Sequence, residues 1–197
     1  MDYFDRIRAA FDRDKGVHDT AGDSIKKSTN AVDVNTRIVR MEGVIDDAMA
    51  NSVIAQLLFH QMQDLKAPVE IVVESPGGLV AAGLAIIDTI LSLTMPVYTE
   101  TRGCAFAMAL AIVSLGQKGH RKCTLRSEFG FVKLVAKTPF DVRAVRAFAK
   151  INQRLINVFQ ETTGQSRRQI ASDMEVNRVF TAEEALNYGL VDLIEWS

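Results

Sequence analysis

The chain has 197 residues, 48% of them hydrophobic, and a net charge of −1. This composition is typical of one globular domain with a sizeable core, and the near-zero charge argues against a nucleic acid or an anionic membrane as partner. Aromatic residues make up only 7% of the chain, which argues against binding single strands by base stacking.

The longest apolar run, 104–115, is too short to cross a membrane, and the N-terminus lacks the pattern of a secretion signal. The two cysteines form neither a disulfide framework nor a metal-binding pattern. We therefore predict no metal and no cofactor. The expected compartment is the reducing cytoplasm.

Apolar periodicity predicts alternating strands and helices after an N-terminal extension at 1–35, which is expected to be partly mobile and to hold a short amphipathic helix at 3–13. Residues 36–197 are predicted to form one domain. The predicted strands lie at 37–42, 69–74, 96–101, 121–125, 129–135 and 191–194. The predicted helices lie at 46–65, 79–94, 103–115 and 140–163, with two shorter ones after Ser166 and Thr181. This alternation indicates parallel crossover units.

Helical spacing also predicts which side chains face the core. In helix 46–65 the predicted core positions are Ile54, Leu57, Leu58 and Met62. In helix 140–163 they are Val145, Phe148, Leu155, Val158 and Phe159.

Two turns are predicted to lie side by side. Segment 74–78, Glu-Ser-Pro-Gly-Gly, follows a buried strand, and its glycines leave backbone N–H groups that can stabilise an anion. The next strand meets Gly103, where an apolar helix is predicted to begin. Two such turns in succession are typical of a hydrolase that holds a nucleophile beside an oxyanion hole.

The chain resembles the proteolytic subunit of the Clp protease, ClpP, over roughly residues 36–195. The resemblance rests on seven sequence segments. They are Arg37-Ile38-Val39, Ile45-Asp46-Asp47, Ala55-Gln56-Leu57-Leu58-Phe59, the Ser-Pro-Gly-Gly turn, Ala82-Gly83-Leu84-Ala85-Ile86, Thr163-Gly164-Gln165-Ser166 and Tyr188-Gly189-Leu190-Val191-Asp192. The resemblance implies an α/β fold of the ClpP/crotonase type, with repeated β-β-α crossover units and a projecting handle helix.

The resemblance places the family's Ser-His-Asp triad at Ala107, Val132 and Asn177. A methyl group cannot attack a carbonyl, an isopropyl group cannot accept a proton, and an amide carries no charge to stabilise an imidazolium. No catalytic side chain is predicted, and only an oxyanion-hole remnant is left at the amides of Gly78 and Met108. The sequence thus predicts a pseudoenzyme of the ATP-dependent Clp serine protease family, which is not itself an enzyme.

The leading hypothesis is a catalytically silent structural or regulatory subunit of a ring. The ring is either a homo-oligomer, with seven as the candidate number, or mixed with active ClpP. In the family an AAA+ unfoldase docks in apolar clefts, and the matching positions are Glu70 and Val72. A carboxylate in such a cleft must be desolvated, which argues against normal docking. Val176 replaces an arginine that pairs across rings, and 133–139 is short and lacks glycine, so a standard double ring is not expected.

Two alternatives stay open: a Clp-type serine endopeptidase subunit with residual or non-standard hydrolysis, and a peptide-binding module that uses the vacated cleft. Other candidate groups have weaker support: Cys104, the pair Ser127 and Glu128, and the histidines His60 and His120. His60 is interpreted as structural and His120 as exposed in a turn. A crotonase-like hydratase, with Glu70 or Glu74 as its carboxylate, is disfavoured because the sequence shows no coenzyme A site.

Overall fold

The computed structural model describes residues 36–134 and 141–196. The elements in chain order are β1 (Ile38–Glu42), α1 (Asp47–Gln63), β2 (Val69–Ser75), α2 (Val80–Ser92), β3 (Val97–Phe106), α3 (Met108–Ser114), β4 (Arg121–Thr124), β5 (Glu128–Gly130), α4 (Val142–Thr163), α5 (Arg167–Glu175), β6 (Val179–Thr181), α6 (Ala182–Tyr188) and β7 (Leu193–Glu195). The helix predicted at 3–13 lies outside the described residues.

Five strands form a parallel sheet in the order β1-β2-β3-β4-β7. The C-terminal part of β3 pairs with β5 instead, and β5 pairs antiparallel with β6. Helices connect the parallel strands, as crossover connections require. The predicted α/β architecture is confirmed.

The boundary between β3 and its helix differs from the prediction. The sequence places the turn at Gly103, but the strand continues to Phe106 and the helix begins at Met108. The extra residues are held by pairing between Cys104–Phe106 and β5, and Ala105 also pairs with Ser75 of β2. These partners are distant in sequence, so local apolar periodicity could not reveal them.

The predicted core faces of two helices are partly wrong. In α1, Leu57 is fully buried, but Leu58 and Met62 are exposed. In α4, Leu155, Val158 and Phe159 are buried, whereas Val145 is 43% exposed. Periodicity identifies an apolar stripe, but only the packing of neighbouring elements decides which part of that stripe is covered.

Helix α4 is the projecting helix that the resemblance implies. Side chains of its first nine residues, 142–150, are exposed or half-buried, and full burial begins at Leu155. Asp141 caps the helix by accepting hydrogen bonds from the amides of Arg143 and Ala144. The helix ends at Gly164, which adopts the left-handed conformation expected of a C-terminal glycine.

A buried ion pair joins the last strand to the rest of the sheet. The Arg121 side chain is 2% exposed and donates to both carboxylate oxygens of Asp192, at 2.8 and 2.5 Å. It also donates to the carbonyl of Thr162, at the end of α4. One guanidinium therefore holds β4, the start of β7 and the C-terminal end of α4 together.

Within the described residues, no helix combines the length and apolar character needed to cross a membrane.

Candidate functional site

The turn between β2 and α2 is packed so closely that Gly77 and Gly78 have no room for side chains. Ile45 donates its amide hydrogen to the carbonyl of Gly77 at 2.8 Å and accepts one from the amide of Leu79 at 2.7 Å. A Cβ atom placed on Gly78 would lie 2.1 Å from the carbonyl oxygen of Ile45. The glycine at position 78 is therefore required by the backbone contact, whatever its chemical role.

The turn between β3 and α3 centres on a strained residue. Ala107 has φ 52° and ψ −117°, a conformation that side-chain-bearing residues rarely adopt. Its amide donates to the carbonyl of Gly130 in β5 at 3.0 Å. Such strain costs on the order of 1–3 kcal/mol and persists only where the surroundings enforce it. A sharp strand-to-helix turn of this kind projects its central side chain outward, as in a nucleophile elbow.

The structure brings the two turns into contact. A Cβ atom on Gly77 would lie 2.9 Å from the Cβ of Ala107 and 3.5 Å from the amide nitrogen of Met108. The amides of Gly78 and Met108 donate to no acceptor among residues 36–134 and 141–196. Their assignment to an oxyanion hole stays a prediction.

The positions of the second and third triad members also lie together. Val132 is half-buried in the segment after β5. The residues on either side of it are bound to one loop: Phe131 donates to the carbonyl of Arg178 at 3.0 Å, and Lys133 donates to Oδ1 of Asn177 at 2.8 Å. Asn177 thus holds the backbone of this segment with its amide oxygen. The same segment reaches position 107 through Gly130.

The thiol nearest this site is not activated. Burial, together with the carboxylates of Glu74 and Glu128, raises the pKa of Cys104 to about 12. The thiol is therefore protonated at neutral pH and is a poor nucleophile. Cys123 is likewise protonated, because burial raises its pKa to about 11.

Ser127 is a structural residue rather than a nucleophile. Its side chain is buried, donates to the carbonyl of Thr101 at 2.9 Å and shares a hydrogen bond with the hydroxyl of Thr124. Glu128 is the first residue of β5, where it pairs with Cys104 and Thr181 through the backbone register.

The two described histidines lie near the amino-terminal ends of the strands, at the opposite end of the sheet from the turns. His60 is buried near the end of α1, where its carbonyl accepts from Arg37, the residue just before β1. His120 immediately precedes β4 and stacks on Tyr98 at 4.0 Å, so it is half-buried rather than exposed as predicted. The turns follow the carboxyl ends of β2 and β3, so neither imidazole reaches them.

A cavity of about 270 Å³ opens between α4 and α5, next to the segment that carries Val132. Its apolar walls come from Ala149, Ile156, Ala171 and Met174, and its rim carries the ion pair between Lys133 and Glu175 at 2.5 Å.

Asn152 of α4 also lines this cavity and binds both backbone groups of Leu134. Sequence reasoning missed Asn152, whose only local signal is an amide on an otherwise apolar helix face.

The predicted docking positions occupy the sheet face that points away from the core. Val72 is 3% exposed, and Glu70 is half-buried beside it. The pairing register places Glu70 between Ile38 of β1 and Tyr98 of β3, and Arg102 and Lys122 lie near enough to interact with its charge.

Comparison with known proteins gives consistent matches. A family model described as Clp protease matches residues 21–196. Two similar relatives, from Streptococcus pneumoniae strains 70585 and Hungary19A-6, are each named ATP-dependent Clp protease proteolytic subunit. Each is 35% identical over 164 residues, which is 80% of this chain and 84% of the relative.

These relatives contradict the prediction that the chain is not an enzyme. They are named as the proteolytic subunits of a protease, and nothing in the structure shows a loss of activity. Replacement of three side chains does not by itself show that a protein of this family is inactive. The residues at 107, 132 and 177 exclude a Ser-His-Asp triad at those positions, and no more. The chain belongs to the Clp protease family.

Proposed function

We propose that this chain is a ring-forming subunit of a Clp-type serine protease assembly, and that peptide hydrolysis is an activity of the assembled complex. The observation that carries the proposal is the strained turn at Ala107, held in contact with Gly77. This turn costs stability wherever it is formed. Its retention is expected if the architecture of a peptidase site is still used.

The nucleophile of that assembly is a group other than the side chain at position 107. A methyl group has no lone pair, so it can neither attack a carbonyl nor be activated by a base. A second candidate, hydrolysis by non-standard groups of this chain, is favoured by the amides of Gly78 and Met108, which have no described acceptor. Donors of this kind retain part of the rate enhancement even when a triad is removed.

Exposed apolar side chains support the assembly role. Val142 and Val145, in the projecting half of α4, are 59% and 43% exposed. Val176 and Val179, which flank Asn177, are 69% and 37% exposed. Contact surfaces between subunits are where such side chains become covered.

Native mass spectrometry of the full chain tests the proposal, alone and after mixing with a proteolytic subunit such as that of Streptococcus pneumoniae. We expect a multimer in at least one of the two samples, and hydrolysis of a fluorogenic peptide by that multimer. A serine-directed fluorophosphonate followed by peptide mapping then locates the nucleophile, with no label at position 107. A chain that stays monomeric in both samples contradicts the proposal.

Peptide capture is a second role with an observation of its own. The cavity between α4 and α5 is apolar inside and bordered by Lys133 and Glu175. Fluorescence anisotropy with labelled peptides tests this role. Binding of a peptide with a leucine side chain should weaken in the variant Ala149→Trp, which fills the cavity, and should be unchanged in Ala147→Trp on an exposed part of the same helix.

We also propose the cytoplasm as the compartment, since Cys104 and Cys123 are both free thiols. Fractionation of cells that express the full chain tests this location. Recovery of the chain outside the soluble cytoplasmic fraction contradicts it.

A further inference from the structure

The projecting half of α4 carries a row of side chains with the spacing of a coiled coil. Val142, Val145, Ala149, Asn152 and Ile156 follow one another at steps of three and four residues, which brings them to one side of a helix. Ile156 is buried, but Val142 and Val145 are 59% and 43% exposed, and Ala149 is exposed as well. We call Val142, Val145 and Ala149 the α4 seam. It has the pattern by which one helix packs against a second helix.

The α4 seam runs into the cavity between α4 and α5. Ala149 belongs to both, and Ile156 continues the row as a wall of the cavity. Asn152, between them, binds the backbone of Leu134. The seam and the cavity therefore form one continuous surface, and a single helix that covers the seam can also supply a side chain that fills the cavity.

Cations flank the α4 seam along one side of the helix. Arg143, Arg146 and Lys150 are exposed, and the steps between them put all three in one row beside the seam. None of the three forms an ion pair with a residue in the described part of the chain. The next cation of the row, Arg154, is paired with Asp88. Three positive charges beside an apolar seam are thus left to attract a partner.

The charge pattern indicates the kind of partner that fits the α4 seam. Segment 142–153 contains no acidic residue, so two copies that met along this seam would bring cations together, and like charges beside a seam oppose pairing. A nucleic acid would neutralise the cations through its phosphates but would leave the two valines uncovered. A helix with apolar residues at the seam spacing and a row of carboxylates beside them covers the valines and neutralises the cations at once.

We propose that the α4 seam binds an acidic amphipathic helix of a protein other than this chain. The bound helix places apolar side chains against Val142 and Val145, one further apolar side chain in the cavity, and glutamate or aspartate opposite Arg146 and Lys150. The stretch 142–153 is about 18 Å long at the rise of an α-helix, which corresponds to about two heptads of the partner. The apolar contact provides affinity, whereas the charges select the partner and speed its association.

The test uses the full chain and a fluorescein-labelled peptide of about three heptads, with Leu-Glu-Ala-Leu-Glu-Ala-Glu as the repeat. The reference peptide has lysine in place of every glutamate. The double variant R146Q/K150Q removes two cations beside the seam, and K66Q/K118Q removes two exposed cations elsewhere on the chain. All four side chains are exposed, so both variants are expected to fold, which circular dichroism verifies.

Fluorescence anisotropy should show that R146Q/K150Q binds the glutamate peptide about fivefold more weakly than the unchanged chain, as expected for two solvent-exposed charge pairs. Binding to K66Q/K118Q should equal that to the unchanged chain. At 0.5 M salt the Debye length is about 4 Å, so the difference between R146Q/K150Q and the unchanged chain should disappear.

Two further variants test the apolar part of the contact. Val145→Gln replaces an exposed apolar side chain of the seam by an amide, whereas Ala147→Gln introduces the same amide on the opposite side of α4. Val145→Gln should weaken binding of the glutamate peptide about tenfold, because the burial of one valine is lost. Ala147→Gln should leave binding unchanged.

Four outcomes would overturn the proposal. The first is no preference for the glutamate peptide over the lysine peptide. The second is equal weakening by the two double variants, which would show an effect of net charge alone. The third is tighter binding of a labelled DNA duplex than of the glutamate peptide, with the same dependence on Arg146 and Lys150. The fourth is loss of a multimer of this chain in R146Q/K150Q, measured by native mass spectrometry, which would show that a second copy covers the seam.

Binding of this helix and ring formation can fail separately. A chain that forms a multimer but does not bind the glutamate peptide overturns the proposal for the α4 seam and leaves ring formation intact. A chain that binds the peptide but stays monomeric supports the α4 seam as a binding site and contradicts ring formation.

Discussion

The two faces of the parallel sheet use charge in opposite ways, and two adjacent residues of β4 show the difference. Arg121 points into the core, is 2% exposed and binds Asp192 through both carboxylate oxygens. Lys122 points to the face of the sheet away from the core and binds Glu195 at 3.1 Å, with both side chains partly in solvent. The two ion pairs look alike in sequence, but water competes far less for the pair of Arg121 and Asp192.

This comparison shows how burial sets the contribution of an ion pair to stability. A buried charge that loses its partner has no water to replace it, so it costs several kcal/mol. An exposed pair is worth roughly 0–1 kcal/mol because solvent and salt screen it. Charges on the core side of the sheet therefore contribute more to the stability of the fold than charges on the opposite face.

The largest expected effect is on the buried pair. Arg121→Met leaves Asp192 without its partner and should lower the free energy of unfolding by about 3–5 kcal/mol. Lys122→Met, the matched change one residue later, should lower it by less than about 1 kcal/mol. Urea unfolding of both variants measures the difference, and equal losses would show that burial does not distinguish the two faces.

The same pair predicts an acid limit to stability. Burial alone would raise the pKa of Asp192, but the hydrogen bonds and charge of Arg121 outweigh it, so the pKa lies below its ordinary value. A lowered folded-state pKa contributes stability above the unfolded value of about 3.9, and this contribution is lost as the pH falls through the folded value. Unfolding measured between pH 6 and 2 should show that loss, and Asp192→Asn should lack this component of it.

The next largest effect on the free energy of unfolding is expected at Gly78, in the turn between β2 and α2. Gly78→Ala would place a methyl group 2.1 Å from the carbonyl oxygen of Ile45, and we expect a loss of about 3 kcal/mol because backbone atoms cannot move aside easily. Gly43→Ala is the control, since a Cβ atom there meets nothing within 4 Å and only the positive φ is unfavourable. It should cost about 1 kcal/mol. Similar losses in urea unfolding would contradict the close contact.

Position 107 tests strain without a clash. Ala107→Gly should raise the free energy of unfolding by about 1 kcal/mol, because glycine adopts the required φ more readily than alanine. Ala107→Val should lower it by about 1–2 kcal/mol, because branching at Cβ makes a positive φ still less favourable. Thermal unfolding of the two variants measures both effects, and a loss of stability in the glycine variant would contradict the assigned strain.

The smallest effect belongs to two carboxylates of β2 on the face of the sheet that points away from the core. E70Q/E74Q should change the free energy of unfolding by less than about 0.5 kcal/mol, since neither carboxylate forms an ion pair within 4 Å among residues 36–134 and 141–196. Urea unfolding checks this prediction, and a loss above about 1 kcal/mol would show that the two glutamates contribute to folding.

Sequence reasoning succeeded where the signal was local. Alternating apolar patterns located the strands and helices, and short-range hydrogen bonds confirm their ends, such as Asp46 bound to the amide of Met49 and the capping box of Thr181 and Glu184. It failed where the partner was distant. The extension of β3 to Phe106 depends on β5, and the exposure of Val145 depends on where α5 and the rest of the core lie.

By itself, the sequence determined the order of the elements, the glycines of the β2–α2 turn and the family of the chain, because these depend on residue type and near neighbours. Only the tertiary structure decided that Ala107 is strained, that Asn177 holds the segment around Val132, and that Arg121 binds Asp192. Each of these depends on contacts between residues far apart in the chain. Their energies come from burial and from the exclusion of water, which no local pattern records.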